Sequence, residues 1–85
     1  MNLLFSNQAK KDWEKVKAVK VLKKKALTLF RVLKNNPYQN PPSYEKLVGD
    51  LAGAYSRRLN KQHRLVYRIE NNEVLVISMW THYEN

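Results

Sequence analysis

No cysteine occurs among the 85 residues. Disulfides, thiolate nucleophiles and cysteine-ligated zinc are therefore excluded. Histidine is nearly as scarce, with only His63 and His82, and no histidine cluster has the spacing of metal ligands. Neither a metal nor a cofactor is expected. No apolar run approaches the length of a membrane span. The opening MNLLFSNQAKK has no basic lead followed by a long apolar stretch, so it does not read as a signal peptide. The cytoplasm is the expected compartment, with no membrane partner. Acids are few: 7 Asp and Glu stand against 16 Lys and Arg, for a formal net charge of +9. A field of that sign attracts polyanions, of which nucleic acid is the commonest. An anionic membrane surface or an acidic protein would answer the same charge.

What is present suits one small globular domain over residues 1–85. The chain is 44% hydrophobic and 27% charged, too apolar for disorder and short enough that its core is small and gains from a partner. The charge is uneven. Residues 1–34 hold ten basic and two acidic side chains. From Tyr55 to Ile69 there are five more basic residues, Arg57, Arg58, Lys61, Arg64 and Arg68, and no acid.

The run NLLF followed by Ser6 reads as a strand leading to a helix N-cap. Ala9, Trp13 and Val16, then Val19, Leu22, Ala26, Leu29 and Leu33, recur at helical spacing, with the lysines mostly on the opposite faces. The pattern does not break between Val16 and Val19. It admits one long helix or two in a hairpin, and two are favoured because one would overhang so small a domain. Asn35, Asn36 and Pro37 stop the helical part, and Pro41 and Pro42 stiffen the linker after it. YSRRL, HRLVYRI and VLVISMW read as three strands in an antiparallel meander, with Asn71-Asn72 as a hairpin turn. Alternation in the middle strand puts Leu65, Tyr67 and Ile69 against the helices and Arg64, Val66 and Arg68 on an open, positive face. The fold class expected is α+β, two N-terminal helices on a small, mainly antiparallel twisted sheet, in the order β-α-α-β-β-β. Trp13 and Trp80 are assigned to the core, and His63 to a structural, hydrogen-bonded role.

A folded sheet would bring together Arg57, Arg58, Arg64 and Arg68, with His82 and Tyr83 at the end of the last strand and Glu45 from the linker. This set suits metal-free cleavage of RNA. A base takes the proton of the 2′-hydroxyl, and an acid protonates the departing 5′-oxygen. Arginine stabilises the charge on the phosphoryl oxygens, and a ring stacks on a base. The same residues equally suit a plain nucleic-acid binder. On spacing alone the binder is the commoner case.

The motifs are more specific than the spacing. YSRRLNKQHRLVYRI, the terminal His82-Tyr83, Phe5-Ser6, Asp12-Trp13, the element PSYEKL and Leu51-Ala52-Gly53 together resemble the Txe/YoeB branch of the RelE-like toxins, over nearly the whole chain. That resemblance implies two N-terminal helices on a twisted sheet. It implies the toxin of a type II toxin–antitoxin pair, a ribosome-dependent endoribonuclease that cuts mRNA in the decoding site. The products would be a 2′,3′-cyclic phosphate and a 5′-hydroxyl. By motif position Glu45 matches the general base, Arg64 the phosphate-stabilising arginine, His82 the general acid and Tyr83 the terminal catalytic aromatic. Arg58 matches a substrate-positioning arginine. Arg57, Lys61, Arg68 and Lys46 are expected to add RNA contacts. The implied partners are mRNA, the 70S ribosome with its RNA, and an acidic YefM/Axe-like antitoxin, with operator DNA reached only through the antitoxin complex. A homodimer is compatible with these. The chain departs from the family's usual lysine-rich loop at Ser43-Tyr44-Glu45-Lys46-Leu47-Val48, and Glu84 and Asn85 follow the tyrosine. Two other readings remain open from the sequence: a non-nuclease toxin of the same fold, of the gyrase-inhibitor type, and a non-catalytic RNA-binding module.

Overall fold

The computed structural model describes residues 1–81. Strand β1 (Asn2–Phe5) leads into helix α1 (Asn7–Lys17) and helix α2 (Lys20–Asn35). A two-residue strand β2 (Glu45–Lys46), a 3₁₀ turn (Gly49–Leu51) and strands β3 (Ala54–Arg58), β4 (Arg64–Glu70) and β5 (Glu73–Thr81) come after. The sheet order is β1-β5-β4-β3-β2. β1 runs parallel to β5, and every other pair is antiparallel. The expected order of elements holds, with β2 added in what reads as linker in the sequence.

Ser6 starts α1. Its hydroxyl accepts from the Ala9 N–H at 3.0 Å and donates to the Ile77 carbonyl at 2.7 Å. One side chain thus caps the helix and docks it on β5. Such a cap stabilises by about 1 kcal/mol. The helical run then breaks at Ala18 and Val19, where Val19 is extended at φ −110° and ψ 109°. No glycine or proline marks the break; packing does. A straight helix over residues 7–35 would be about 43 Å long, whereas the longest extent of the molecule is 31 Å. Folding back lets both apolar stripes reach one core.

That core is formed by Ala9 and Val16 of α1, Leu22, Ala26, Leu29 and Leu33 of α2, and Leu65, Tyr67, Val74, Val76 and Met79 of the sheet. Phe30 closes one side, edge-on to Phe5 at 5.3 Å and tilted against Trp13 at 5.7 Å. Trp13 and Trp80 are partly buried at the core's margin. The β4–β5 turn has Asn71 and Asn72 at φ 51° and 61°, the left-handed pair that a two-residue hairpin needs.

β5 is irregular. Between the Arg64–Thr81 and Val66–Ser78 pairs it carries one residue more than β4, and a second between Val66–Ser78 and Tyr67–Val76. These are β-bulges, which bend a strand and re-aim its later residues. The first falls at Met79 and Trp80, and Asp12 is the residue that receives it. This helix residue is 2% exposed. Its Oδ2 accepts from the Met79 N–H at 2.9 Å and the Trp80 N–H at 3.2 Å, and its Oδ1 accepts from Gln8 Nε2 at 2.8 Å.

Candidate active site

The helices cover one face of the sheet, and the site lies on the other. Strand register decides membership. Glu45 pairs with Ser56, Ser56 with Val66, and Arg58 with Arg64, which in turn pairs with Thr81. Residues in register share a face, so Glu45, Ser56, Arg58 and Arg64 stand together, with Arg68 further along β4. Glu45 Oε2 lies 3.7 Å from Arg64 Nη1, and the same nitrogen is 3.3 Å from Ser56 Oγ. Glu45 is exposed, Ser56 buried and Arg64 between the two. An ion pair this open contributes at most about 1 kcal/mol to stability. Its interest is chemical: a carboxylate that can take a proton sits beside a guanidinium that can hold phosphoryl oxygens.

The other sequence candidates divide. Arg58 is exposed on this face. Arg68 is half-buried and donates to the Ala52 carbonyl at 3.2 Å, which ties it to the Gly53 turn. Lys46 pairs with Tyr55 and so points to the opposite side of β2 from Glu45. Lys61 is exposed in the β3–β4 turn, off the face. His82 and Tyr83 lie outside the described residues; Thr81, which precedes them, pairs with Arg64.

Arg57 is a correction. Expected among the RNA contacts, it is 1% exposed and the largest fully buried side chain among the described residues. It pairs with Leu65, on the helix side. Its Nε donates to Tyr67 Oη at 2.9 Å, Nη1 to the Pro42 carbonyl, and Nη2 to the carbonyls of Pro37 and Gln39 at 2.9 Å each. Desolvation raises the Tyr67 phenol above its ordinary pKa, and the Arg57 charge opposes that rise only in part. The two-residue period of a strand carries the signal, because neighbours in Ser56-Arg57-Arg58 cannot share a face. His63 departs from expectation in one respect. It is buried and stacked on Trp80 at 3.9 Å, but its Nδ1 has no hydrogen-bond partner among the described residues. No sequence pattern assigns a role to Asp12 or Ser56. The Asp12 partners on β5 are 67 and 68 residues away, and the Ser56 contact to Arg64 depends on the pairing of β3 with β4.

Among the described residues no group of three His, Asp or Glu side chains could hold a metal ion. Two clefts lie away from Glu45. One of about 700 Å³ runs between β1 and the helices, lined by Leu3, Phe5, Trp13 and Phe30 with Lys10, Arg31 and Lys34 at its rim. No helix is long and apolar enough to cross a membrane, among the described residues.

A family model described as "YoeB-like toxin of bacterial type II toxin-antitoxin system" matches residues 5–83. The chain belongs to the YoeB-like toxins. Toxin YoeB of Synechocystis is 37% identical over 65 residues, 76% of each chain. Among solved structures, a YoeB/ParE toxin from Agrobacterium tumefaciens superposes with a TM-score of 0.88 at 31% identity, covering 98% of this chain and all of that one. The toxin in a YoeB–YefM complex from Staphylococcus aureus gives 0.83 at 34%, over 98% of each chain, and the toxin of that organism has also been solved as a dimer. Like other YoeB-like toxins, this chain is an endoribonuclease that cleaves mRNA in dependence on the ribosome.

Proposed function

We propose that Glu45, Arg64, His82 and Tyr83 carry the cleavage. Glu45 takes the proton of the 2′-hydroxyl of the mRNA nucleotide held in the decoding site. The freed oxygen attacks the adjacent phosphorus, so the 2′-O–P bond forms as the P–O5′ bond breaks. Arg64 donates to the phosphoryl oxygens as charge gathers on them. His82, as imidazolium, protonates the departing 5′-oxygen, and Tyr83 stacks on a base to hold the nucleotide splayed. The products are a 2′,3′-cyclic phosphate and a 5′-hydroxyl. The supporting observation is the 3.7 Å approach of Glu45 to Arg64 on the face away from the helices, beside the strand pair that ends at Thr81.

Arg58 and Arg68 bind RNA on the face of that centre, and Lys46 and Lys61 add RNA contacts outside it. The lysines exposed on α1 and α2 meet ribosomal RNA. Translating ribosomes place the activity in the cytoplasm. The controlling partner is an acidic antitoxin of the YefM/Axe type, supported by the solved YoeB–YefM complexes. Operator DNA is bound only through that complex. The free toxin pairs with a second copy, as the Staphylococcus aureus relative does in one of its structures.

Single-turnover cleavage of a defined mRNA on programmed 70S ribosomes tests the assignment. Glu45→Gln, Arg64→Ala and His82→Ala should each lose about 10²–10⁴-fold in rate while staying folded. Tyr83→Phe should be milder than Tyr83→Ala. An mRNA with hydrogen in place of the 2′-hydroxyl at the cut should not be cleaved. A folded His82→Ala protein cutting within about twofold of the parent would remove His82 from the mechanism.

A further inference from the structure

Glu45 owes its place to very little local structure. β2 has two residues, and its hold on β3 consists of the Glu45–Ser56 and Lys46–Tyr55 pairs and the Leu47 N–H bonded to the Ala54 carbonyl at 2.9 Å. Strands this short do not keep register by themselves. A slip of one residue would turn Glu45 to the other face, away from Arg64. Before β2 come residues 36–44, which form no helix or strand.

That irregular segment is gathered on Arg57. Three of its carbonyls, from Pro37, Gln39 and Pro42, accept from one guanidinium. Its last residue, Tyr44, lies with its ring 4.8 Å from Arg57 Cζ and edge-on to Tyr55 at 5.7 Å. No carboxylate faces Arg57 among the described residues. The buried charge is tolerated only because carbonyl dipoles, a phenol and aromatic faces surround it. The dependence runs both ways: without the loop the guanidinium keeps only Tyr67 Oη as an acceptor, and without the guanidinium three inward carbonyls lose this donor.

We propose that Arg57 is a positioning residue for cleavage, a buried clamp on the 36–44 loop that holds Glu45 in register opposite Ser56 and beside Arg64. The proposal rests on the reading of Glu45 as the base. It gives the first arginine of Ser56-Arg57-Arg58 a task different from that of the second. Arg58 faces the substrate side, and Arg57 acts from behind the sheet through the loop. A planar fork is what this needs. Lysine keeps the charge but cannot reach four acceptors spread around a plane.

The test compares Arg57→Lys, Glu45→Gln and the double variant in the full chain. The readouts are amide exchange and single-turnover cleavage over a range of ribosome concentrations. In Arg57→Lys, exchange across residues 43–47 should rise at least tenfold, while α2 amides stay within twofold of the parent. The maximal cleavage rate should fall at least tenfold, with half-saturation unchanged within twofold. Added to Glu45→Gln, Arg57→Lys should cost less than threefold more, since the group it positions is already gone. Parent-like exchange in residues 43–47, or a full tenfold loss on top of Glu45→Gln, overturns the proposal while leaving Glu45 as base. If Glu45→Gln itself cuts like the parent, the base reading falls, and the proposal falls with it. Should Arg57→Lys not fold, Tyr67→Phe takes its place. It removes one of the four acceptors and keeps the ring, so exchange in the same segment should rise about threefold, and an unchanged segment overturns the clamp.

Discussion

Removing the carboxylate of Asp12 is the sharpest test of how the end of β5 is held. In Asp12→Ala the Met79 and Trp80 N–H groups lose their shared acceptor. A buried donor left without a partner costs about 1–3 kcal/mol. Met79 is fully buried and takes the upper part of that range. Trp80 borders a cleft that also touches Asp12, so water can reach its N–H, and the lower part applies. Gln8 is exposed and turns its amide to solvent at little cost. The expected loss is about 3 kcal/mol, or about 12–24 °C in Tm for a domain of this size. Asp12→Asn behaves differently. Both N–H groups bond the same oxygen, so an amide carbonyl in that place keeps both. Its NH₂ then faces Gln8, whose own amide can rotate to accept. Only the charge assistance is lost, about 1 kcal/mol. Both substitutions remove one negative charge from a +9 chain, so the difference between them isolates the acceptor. Urea unfolding followed by circular dichroism measures it. An alanine variant within about 0.5 kcal/mol of the parent, or one no worse than asparagine, refutes the account.

Two further outcomes rest on named groups. Burial raises the Tyr67 pKa above 10.0, so above pH 10 the unfolded chain releases this proton before the folded one does; the Tyr67 contribution to stability is fully present below pH 10 and is lost as pH rises toward the folded pKa, so in that range stability should fall less in Tyr67→Phe by urea titration. Gly53 has φ +92°, and a Cβ there would stand 3.0 Å from Arg68 Nη1, so Gly53→Ala should lose about 1–2 kcal/mol in the same measurement, and an unchanged midpoint would argue against strain at this turn.

Much of the architecture was legible because it is written in local periods. Leu22, Ala26, Leu29 and Leu33 mark the buried side of α2 by spacing alone, and Asn71-Asn72 marks its turn. The helix break carried no stop residue and followed from the size of the molecule. Glu45 and Arg64 were legible through motif resemblance, and the sheet brings them together. Composition misplaces Arg57, because a cationic side chain in a basic stretch invites a surface reading, although strand alternation separates it from Arg58. β2 is too short to have a period. The bulges of β5 and the task of Asp12 depend on a partner 67 residues away, and nothing in the neighbourhood of Asp12 reports it.

The parallel pairing of β1 with β5 also sets when this protein can exist during its own synthesis. Asn2 lies opposite Glu73, and Ser6 and Asp12 dock on residues 77, 79 and 80. Closing a loop of this length costs about 4 kcal/mol and cannot begin until β5 has left the exit tunnel. Until then the two helices lack Val74, Val76 and Met79 from their core and β1 has no neighbour. The sheet is therefore the last part of the fold to close, since β5 stands between β1 and β4 and both wait for it.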